Sequence, residues 1–353
     1  MTRLLHTADV HLSTGAPERR AALEEVLRIG EEEDVDLVTV GGDLFDSDRD
    51  SEELRPDLRQ MFSDRPYSII TIPGNHDEAA FSSDLHYGES FNAAVGEPFE
   101  HVSTPRSDVR ITCVPYTAQA VDEVLIALAE RDPFDGVEIL LLHCSLEAPF
   151  DAVSEGDEET RRYFPVTRET LADLGFDYHL AGHFHSSHQV ELPNGSMFVY
   201  PGSPASVTRK ETGPRNVALI DTTAEQLNFH RLDAFHYDTL DVVVTPGEEE
   251  GVLDEISEWV DRRRDRNVDA SITVSGHVTV DETDFQGDLA EVCGDIPVEN
   301  KTTGVEEVLS HPLFEEFESK MDARDFEDDS LSDDVRNRTI SIFSELSSGG
   351  RLS

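Results

Sequence analysis

The chain of 353 residues carries 75 acidic and 28 basic residues, a formal charge of −47 at pH 7. With 37% hydrophobic residues it can bury enough apolar surface to offset its ordering entropy, so general disorder is excluded and the length predicts two domains. The longest apolar runs, at 124–129 and 137–142, fall well short of the roughly 18 residues that a membrane-spanning helix needs, so we expect no membrane association.

The excess of acid is accompanied by a scarcity of lysine. Lysine occurs only at Lys210, Lys301 and Lys320, which leaves 25 arginines. This composition favours a halophilic protein, because at about 1 M salt the Debye length is roughly 3 Å and surface carboxylates largely stop repelling one another. The alternative is an ordinary acidic cytosolic protein. Because salt would also screen the repulsion between the acidic surface and phosphate groups, the net charge does not exclude binding of nucleic acid.

The cysteines and the N-terminus indicate a cytoplasmic location. Cys113, Cys144 and Cys293 form no CxxC pair, which favours reduced thiols over a disulfide framework. Only two leucines follow Arg3 before polar residues begin at His6, so we expect no signal peptide.

Five apolar, β-rich runs in the first 185 residues each end in polar residues of the type that bind metals. Runs that are apolar at nearly every position predict strands buried on both faces. Helical patterns lie between several of them, at 19–33, with Ala22, Val26 and Ile29 on one face, and at 117–131. The runs are RLLHTADVH (3–11), VDLVTVGGD (35–43), YSIITIPGNHD (67–77), VEILLLH (137–143) and YHLAGHFH (178–185).

A second group of strands predicts a second and more antiparallel sheet. Its members, at 111–116, 197–202, 216–221 and 226–232, follow without long helices between them. The expected fold is therefore α/β, a four-layer α/β/β/α sandwich with helices outside two sheets.

The character of the chain changes after about residue 235. A strand, a helix and a strand are predicted at 240–246, 252–264 and 270–280, and two short helices at 311–321 and 333–347. We therefore expect a catalytic domain over 1–235, a small α+β domain over 236–300, and an acidic helical tail over 301–353 that docks on a partner.

The candidate metal ligands lie at the carboxyl ends of the five runs, where open α/β sheets place their ligands. Carboxylates, imidazoles and an amide oxygen suit Mn²⁺, Fe²⁺ or Zn²⁺, and the alternative is a set of buried polar residues satisfied without metal. Gly41, Gly42, Gly74 and Gly182 precede several of these residues, where a Cβ would crowd a bound ion. The candidates are Asp9, His11, Asp43, Asn75, His143, His183 and His185.

The motifs DVH, GGDLFD, GNHD, LLH and GHFH, in this order over residues 4–185, resemble the five signature motifs of the calcineurin-like metallophosphoesterases. Together with the YPGSP stretch at 200–204, they most resemble SbcD-type nucleases, the DNA double-strand-break repair subunits that pair with a coiled-coil ATPase. The C-terminal part is similar to the capping domain and ATPase-docking segment of that family by arrangement only.

The resemblance implies a dinuclear metal centre. One ion would be held by Asp9, His11 and His185, the other by Asn75, His143 and His183, with Asp43 bridging them. We expect two divalent cations, with Mn²⁺ favoured, and a bridging hydroxide that attacks phosphorus.

The resemblance also implies catalysis by His76, which would protonate the leaving oxygen or stabilise charge. Asp77 would orient that imidazole, or else serve as a turn or cap carboxylate. Many eukaryotic and archaeal repair nucleases have a histidine at the position of Asp46, whereas bacterial SbcD-type sequences resemble this chain there. Asp46 would orient His76 or remain a solvated or helix-capping acid.

Weaker candidates lie outside the motifs. The basic pairs Arg161–Arg162 and Arg209–Lys210 would grip a phosphate backbone or balance acids such as Glu211. Ser203 would line the site or form a tight turn. The polar connection at 147–165 would gate access.

We expect a metal-dependent phosphoesterase that acts as a DNA exonuclease subunit, with DNA, an SbcC-like coiled-coil ATPase and a second copy of the chain as partners. Endonuclease activity stays open. The alternatives are a small-molecule phosphodiesterase or phosphatase acting on nucleotides, and a metal-bound scaffold without turnover.

Overall fold

The computed structural model describes residues 2–81, 86–104, 108–147, 163–263, 267–324, 335–336, 338–340 and 342–343. The chain divides into two compact units, Met1–Tyr237 and Asp238–Ser353. Within the described residues, no helix is both long and apolar enough to cross a membrane.

The first unit alternates strands and helices for most of its length. Its elements are β1 (Arg3–Thr7), α1 (Pro17–Glu32), β2 (Leu37–Val40), α2 (Asp48–Met61), β3 (Ser68–Thr71), a 3₁₀ turn (Glu78–Phe81), β4 (Phe91–Ala93), β5 (Glu100–Ser103), β6 (Val109–Val114), α3 (Val121–Ala129), β7 (Val137–His143), β8 (Ser145–Glu147), β9 (Pro165–Thr167), α4 (Arg168–Asp173), β10 (Tyr178–Gly182), β11 (His188–Glu191), β12 (Met197–Tyr200), β13 (Asn216–Asp221) and β14 (Gln226–Arg231).

The long strands of this unit form two six-stranded sheets. One has the order β14-β13-β1-β2-β3-β4, and the other has the order β11-β12-β10-β7-β6-β5. The central pairs β1–β2, β2–β3, β6–β7 and β7–β10 are parallel, while β13–β14, β11–β12 and β5–β6 are antiparallel. The predicted α/β class is confirmed.

The predicted partition of strands between the sheets is wrong. Strands β13 and β14 join the first three motif strands, whereas β6 and β12 join the last two. The second sheet therefore has a parallel centre between two antiparallel edges. The first sheet is antiparallel only on the side of β13 and β14, and its other edge is the parallel pair β3–β4. All these strands carry similar apolar runs, so their composition alone did not reveal which strands pair.

Apolar side chains fill the layers on both faces of each sheet. Leu4, Ile70, Ile139 and Leu180 belong to the buried cluster between the sheets. On the outer face of the first sheet α1 packs through the predicted stripe, and Ala22, Val26 and Ile29 are all buried. Helices α3 and α4 cover the outer face of the second sheet through Val124, Leu128 and Leu171. The four-layer sandwich follows from these three contacts.

The second unit has its own sheet and core. Its elements are β15 (His236–Val244), which begins in the first unit, then α5 (Glu249–Asp261), β16 (Val268–Val278), α6 (Glu282–Cys293), β17 (Val298–Gly304), α7 (Glu306–Leu309) and α8 (Pro312–Asp322). The sheet has the order β15-β16-β17, and α5 and α6 bury Ile256, Trp259 and Phe285 with it. The predicted strand, helix, strand order is present, and α6 and β17 extend it.

The tail contains the first of its two predicted helices as α8. For the second, predicted at 333–347, the described residues 335–336, 338–340 and 342–343 are helical. Phe314 and Ile340 are buried in a small cluster of this region.

Candidate metal centre

The five motif strands end at a common place in the first unit. Strands β1, β2 and β3 supply the first three motifs from one sheet, and β7 and β10 supply the last two from the other. The site is therefore built by two sheets, and the backbone ties the motif ends together within each: His11 N donates to Asp43 O at 3.0 Å, and Cys144 N donates to Gly182 O at 3.2 Å.

One group of ligand atoms comes from Asp9, His11 and His185, which lie within 4.8 Å of one another. The Nε2 atoms of His11 and His185 are 3.1 Å apart. Asp9 is fully buried, and both of its carboxylate oxygens accept from the backbone N–H of His183, at 2.9 and 3.0 Å. The aspartate thus ties the end of β1 to the end of β10.

A second group surrounds His143. Its Nδ1 lies 2.9 Å from Gly41 O, and its Nε2 lies 3.0 Å from Asn75 Oδ1 and 3.3 Å from Asp43 Oδ2. The ring of His183 lies against that of His143, with centroids 5.2 Å apart. The described structure therefore brings all seven candidate ligands together.

The acceptors around His143 fit a cation. The carbonyl oxygen of Gly41 can only accept a hydrogen bond, so the neutral His143 ring carries its proton on Nδ1. The lone pair of Nε2 then faces the side-chain oxygens of Asn75 and Asp43. Three acceptors converging in a buried place repel one another unless positive charge lies among them. Imidazole, amide and carboxylate together are a donor set for a borderline divalent metal.

The charges of the site lead to the same conclusion. Burial lowers the pKa of His143, but attraction to Asp43 outweighs it and raises the pKa to about 10. Burial raises the pKa of Asp9 to about 7. Burial also opposes ionisation of Asp43, yet the neighbouring His143 charge holds the pKa of Asp43 well below its usual range. The pocket attracts positive charge, as a proton or as a metal.

The backbone is unusual at four of the candidate ligands. Asp9, His11 and Asp43 have φ values of 53°, 48° and 50°, and His183 has 109°. L-residues rarely occupy this left-handed region, and such conformations cluster at functional sites because the surrounding structure must hold them.

His76 lies beside the first group. Its ring centroid is 4.8 Å from that of His11, nearly perpendicular to it, and its backbone N–H donates to Asp43 Oδ1 at 2.9 Å. The imidazole therefore borders the cluster while its backbone fixes the aspartate that faces both groups.

The Asp77 side chain stabilises the turn in which it lies. The side chain is fully buried, and its oxygens accept from Gly74 N at 2.7 Å and from Phe45 N at 3.1 Å. These bonds connect the loop after β3 to the loop after β2, which favours the turn interpretation over orientation of His76.

Asp46 faces His11. Its Oδ1 lies 3.4 Å from His11 Nδ1 and 3.2 Å from Arg19 Nη1, and Arg19 also donates to the carbonyl of His11 at 2.8 Å. The helix-capping alternative is wrong, because the neighbouring Ser47 caps α2 by accepting from Asp50 N. Interaction with His11 lowers the pKa of Asp46. With His11 and His76, Asp46 forms a third group of possible ligands within 4.8 Å.

Glu211 is a site residue that sequence reasoning missed. We interpreted it as a surface acid balancing Arg209 and Lys210, but it is only 2% exposed and its Oε1 lies 3.0 Å from His185 Nδ1. Burial raises its pKa, but the hydrogen bond with His185 outweighs this and lowers the pKa to about 2. It stands 26 residues beyond His185, and no local motif marks it.

Ser203 belongs to the same loop. Its hydroxyl donates to Glu211 Oε2 at 3.1 Å and accepts from Arg215 Nη2 at 2.8 Å. The serine is buried, and both of these hydrogen bonds support the loop.

Tyr163 forms an aromatic wall near the second group. Its ring centroid lies 5.9 Å from that of His143 and stacks on Tyr116 at 4.6 Å. Its hydroxyl accepts from Thr117 N at 3.0 Å. Sequence reasoning did not identify this pair.

Two other sequence candidates have different outcomes. Arg209 packs its guanidinium over the ring of Tyr237, 5.2 Å from the centroid. The pair Arg161–Arg162, and most of the connection at 147–165, lie outside the described residues.

A family model for calcineurin-like phosphoesterases matches residues 2–187, more than half of the chain. The chain belongs to this family. The family implies hydrolysis of phosphoester bonds and the use of divalent metals. The resemblance seen in the five motifs is confirmed.

Two curated proteins of Bacillus subtilis strain 168 are similar to the chain. An uncharacterised metallophosphoesterase, YhaO, is 27% identical over 247 residues, which cover 64% of this chain and 58% of that protein. The chain therefore spans less than two thirds of the length of that relative. The D subunit of the nuclease SbcCD is 24% identical over 331 residues, covering 79% of this chain and 81% of that protein.

A solved structure, a dimetal phosphatase from Danio rerio, is also similar. It is 12% identical, with a TM-score of 0.46, and the match covers 65% of this chain and 96% of that one.

Proposed function

We propose that the chain is a dinuclear metal-dependent phosphodiesterase that acts as the DNA nuclease subunit of an SbcC/SbcD-like complex. Asp9, His11 and His185 would hold one cation, and Asn75, His143 and His183 the other. Asp43 would bridge the two.

The position of the Asp43 carboxylate carries this proposal. Its Oδ2 lies 3.3 Å from Nε2 of His143 and 3.9 Å from Nε2 of His11, so one oxygen faces a histidine of each set. Its Oδ1 is held by the backbone N–H of His76. A carboxylate fixed in this way is suited to bridging two ions.

The cations, when bound, supply activated water and neutralise charge on the phosphoryl oxygens. The protein supplies geometry and proton transfer. His76 lies at the border of the cluster, with its ring against His11, and would give a proton to the leaving oxygen. Tyr163, stacked on Tyr116, would help to exclude water from the His143 side.

The proposal of DNA as substrate rests on a relative. The match to the D subunit of the nuclease SbcCD covers 79% of the chain and thus extends beyond the family region at 2–187. The implied partner is a coiled-coil ATPase. On this proposal the apolar side chains of Leu313 and Ile342 in the tail, which are 54% and 50% exposed, would contact that partner.

The charge of −47 opposes binding to DNA at low salt. In molar salt the Debye length of roughly 3 Å confines this repulsion to direct neighbours, and the bound cations then dominate the local field. A halophilic setting would therefore reconcile an acidic surface with a polyanionic substrate.

The test compares two substrates in molar KCl with Mn²⁺. We expect cleavage of an end-labelled DNA duplex, with the His76→Ala variant as control for a contaminating nuclease. Cleavage of a chromogenic phosphodiester alone would contradict the nuclease proposal and favour a small-molecule phosphodiesterase. Bound metal without turnover of either substrate would favour a scaffold.

A further inference from the structure

The carboxylate of Glu211 lies behind a candidate metal ligand. It belongs to the segment between β12 and β13, and its Oε1 is 3.0 Å from Nδ1 of His185. The opposite ring nitrogen of His185, Nε2, lies 3.1 Å from Nε2 of His11 inside the site. The carboxylate is thus on the far side of the imidazole from the other ligands.

The loop holds this carboxylate in place. Oε1 accepts from Thr208 N at 3.0 Å, while Oε2 accepts from Val207 N at 2.9 Å and from the hydroxyl of Ser203 at 3.1 Å. The guanidinium of Arg215 is 3.9 Å away. With three donors on a buried group, the side chain cannot turn away from His185 without breaking several hydrogen bonds.

The contact determines which nitrogen of His185 carries the proton. An ionised carboxylate only accepts, so Nδ1 must be the protonated nitrogen of the neutral ring. The lone pair is then on Nε2, on the side of Asp9 and His11. A carboxylate hydrogen-bonded to an imidazole also makes the opposite nitrogen a stronger ligand.

We propose that Glu211 is a positioning residue that fixes the tautomer and ring orientation of His185 for metal binding. The inference rests on the metal centre of the proposed function but not on its substrate. It would therefore survive the finding that DNA is not cleaved.

The decisive variant is Glu211→Gln, measured by calorimetric titration of the metal-free protein with Mn²⁺ in molar KCl. We expect one of the two sites to bind about 10- to 100-fold more weakly, the usual cost of losing such a partner, and the other to change less than about threefold.

Two matched variants separate positioning from other effects. Ser203→Ala removes one loop bond to Oε2 but leaves Oε1 on His185, and Glu191→Gln removes an exposed carboxylate from β11. We expect wild-type affinities for Glu191→Gln. For Ser203→Ala, whose hydroxyl helps to hold Oε2, we expect a much smaller loss of affinity than for Glu211→Gln, because Oε1 still faces His185. Equal weakening in Glu211→Gln and Ser203→Ala would reduce Glu211 to a loop support and overturn the proposal.

A spectroscopic measurement adds a readout other than affinity. In the Co²⁺-loaded protein, the Nδ1 proton of a ligating His185 gives a paramagnetically shifted, exchangeable NMR signal. We expect this signal to move or exchange faster in Glu211→Gln and to persist in Ser203→Ala. If Glu211→Gln does not fold, Glu211→Asp is judged by the same thresholds. Wild-type affinity and an unchanged signal in the folded variant would refute the role.

Discussion

Replacing Gly74 with alanine should damage the metal centre without unfolding the protein. Gly74 precedes Asn75 in the loop after β3, and a Cβ there would fall on the carboxylate of Asp43. It would also lie 2.5 Å from the backbone nitrogen of Asp43, about 0.9 Å inside the 3.4 Å at which ordinary contact begins. The backbone cannot absorb this by a change of rotamer, so the two loops must separate.

The required movement sets the size of the effect. Overpacking of this kind costs about 1 to 3 kcal/mol of unfolding free energy. Metal sites tolerate displacements of about 0.5 Å, so a separation near 0.9 Å should weaken binding at the shared Asp43 and lower turnover about 100-fold. Both ions should be affected, because Asp43 faces both ligand sets.

Elemental analysis after Mn²⁺ loading, together with denaturant unfolding in EDTA, measures both effects. Gly15→Ala is the matched control in the same unit. Of the residues that the structure describes, only Ser13 has an atom, Oγ at 4.0 Å, near the position that the new methyl group would take, so we expect changes within about 0.5 kcal/mol. If Gly74→Ala binds two ions with wild-type affinity and stability, the steric reasoning is wrong.

Three further predictions test the chemistry, the charge and the buried histidines. His76→Ala should lower turnover at least about 100-fold with nearly unchanged metal content; unchanged turnover would remove its catalytic role. Unfolding free energy should rise from dilute buffer to molar KCl, and equal stability in both would contradict halophily. Burial lowers the pKa of His6 from 6.5 to about 4, so the unfolded chain binds more protons. The contribution of His6 to the unfolding free energy, on the order of 3 kcal/mol, should therefore be lost as pH drops from 6.5 to 4, and the stability of His6→Gln should fall less steeply with pH than that of the wild type in denaturant titrations.

The sequence predicted those parts of the fold that depend on local pattern. The stripe of Ala22, Val26 and Ile29 forms the buried face of α1, and the five motif strands lie close to their predicted positions. Strand pairing depends on long-range contacts instead. Strands β12 and β13 are both short apolar runs, yet β12 pairs with β10 in one sheet and β13 pairs with β1 in the other.

The same limit explains what was missed in the site. Asp9, Asp43 and His143 end buried strands, so their convergence follows from the general rule for α/β sheets. Glu211 has no such mark: its neighbours Arg209 and Lys210 suggested a surface ion pair, and only the folding of its loop against His185 reveals its contact. The role of Asp77 likewise depends on hydrogen bonds from two backbone N–H groups, those of Gly74 and Phe45, which the sequence pattern does not reveal.

The left-handed backbone at Asp9, His11, Asp43 and His183 connects fold and chemistry. Each such conformation costs about 1 to 3 kcal/mol and persists only because the surrounding structure holds it. Here the hydrogen bonds that hold them run between motifs, from Asp9 N to Gly42 O, from His11 N to Asp43 O, and from His183 N to the Asp9 carboxylate. The ligands are therefore oriented by one another's backbones before any cation arrives. A centre assembled in this way depends on all its loops together, which is why a methyl group at Gly74 should disturb both ligand sets.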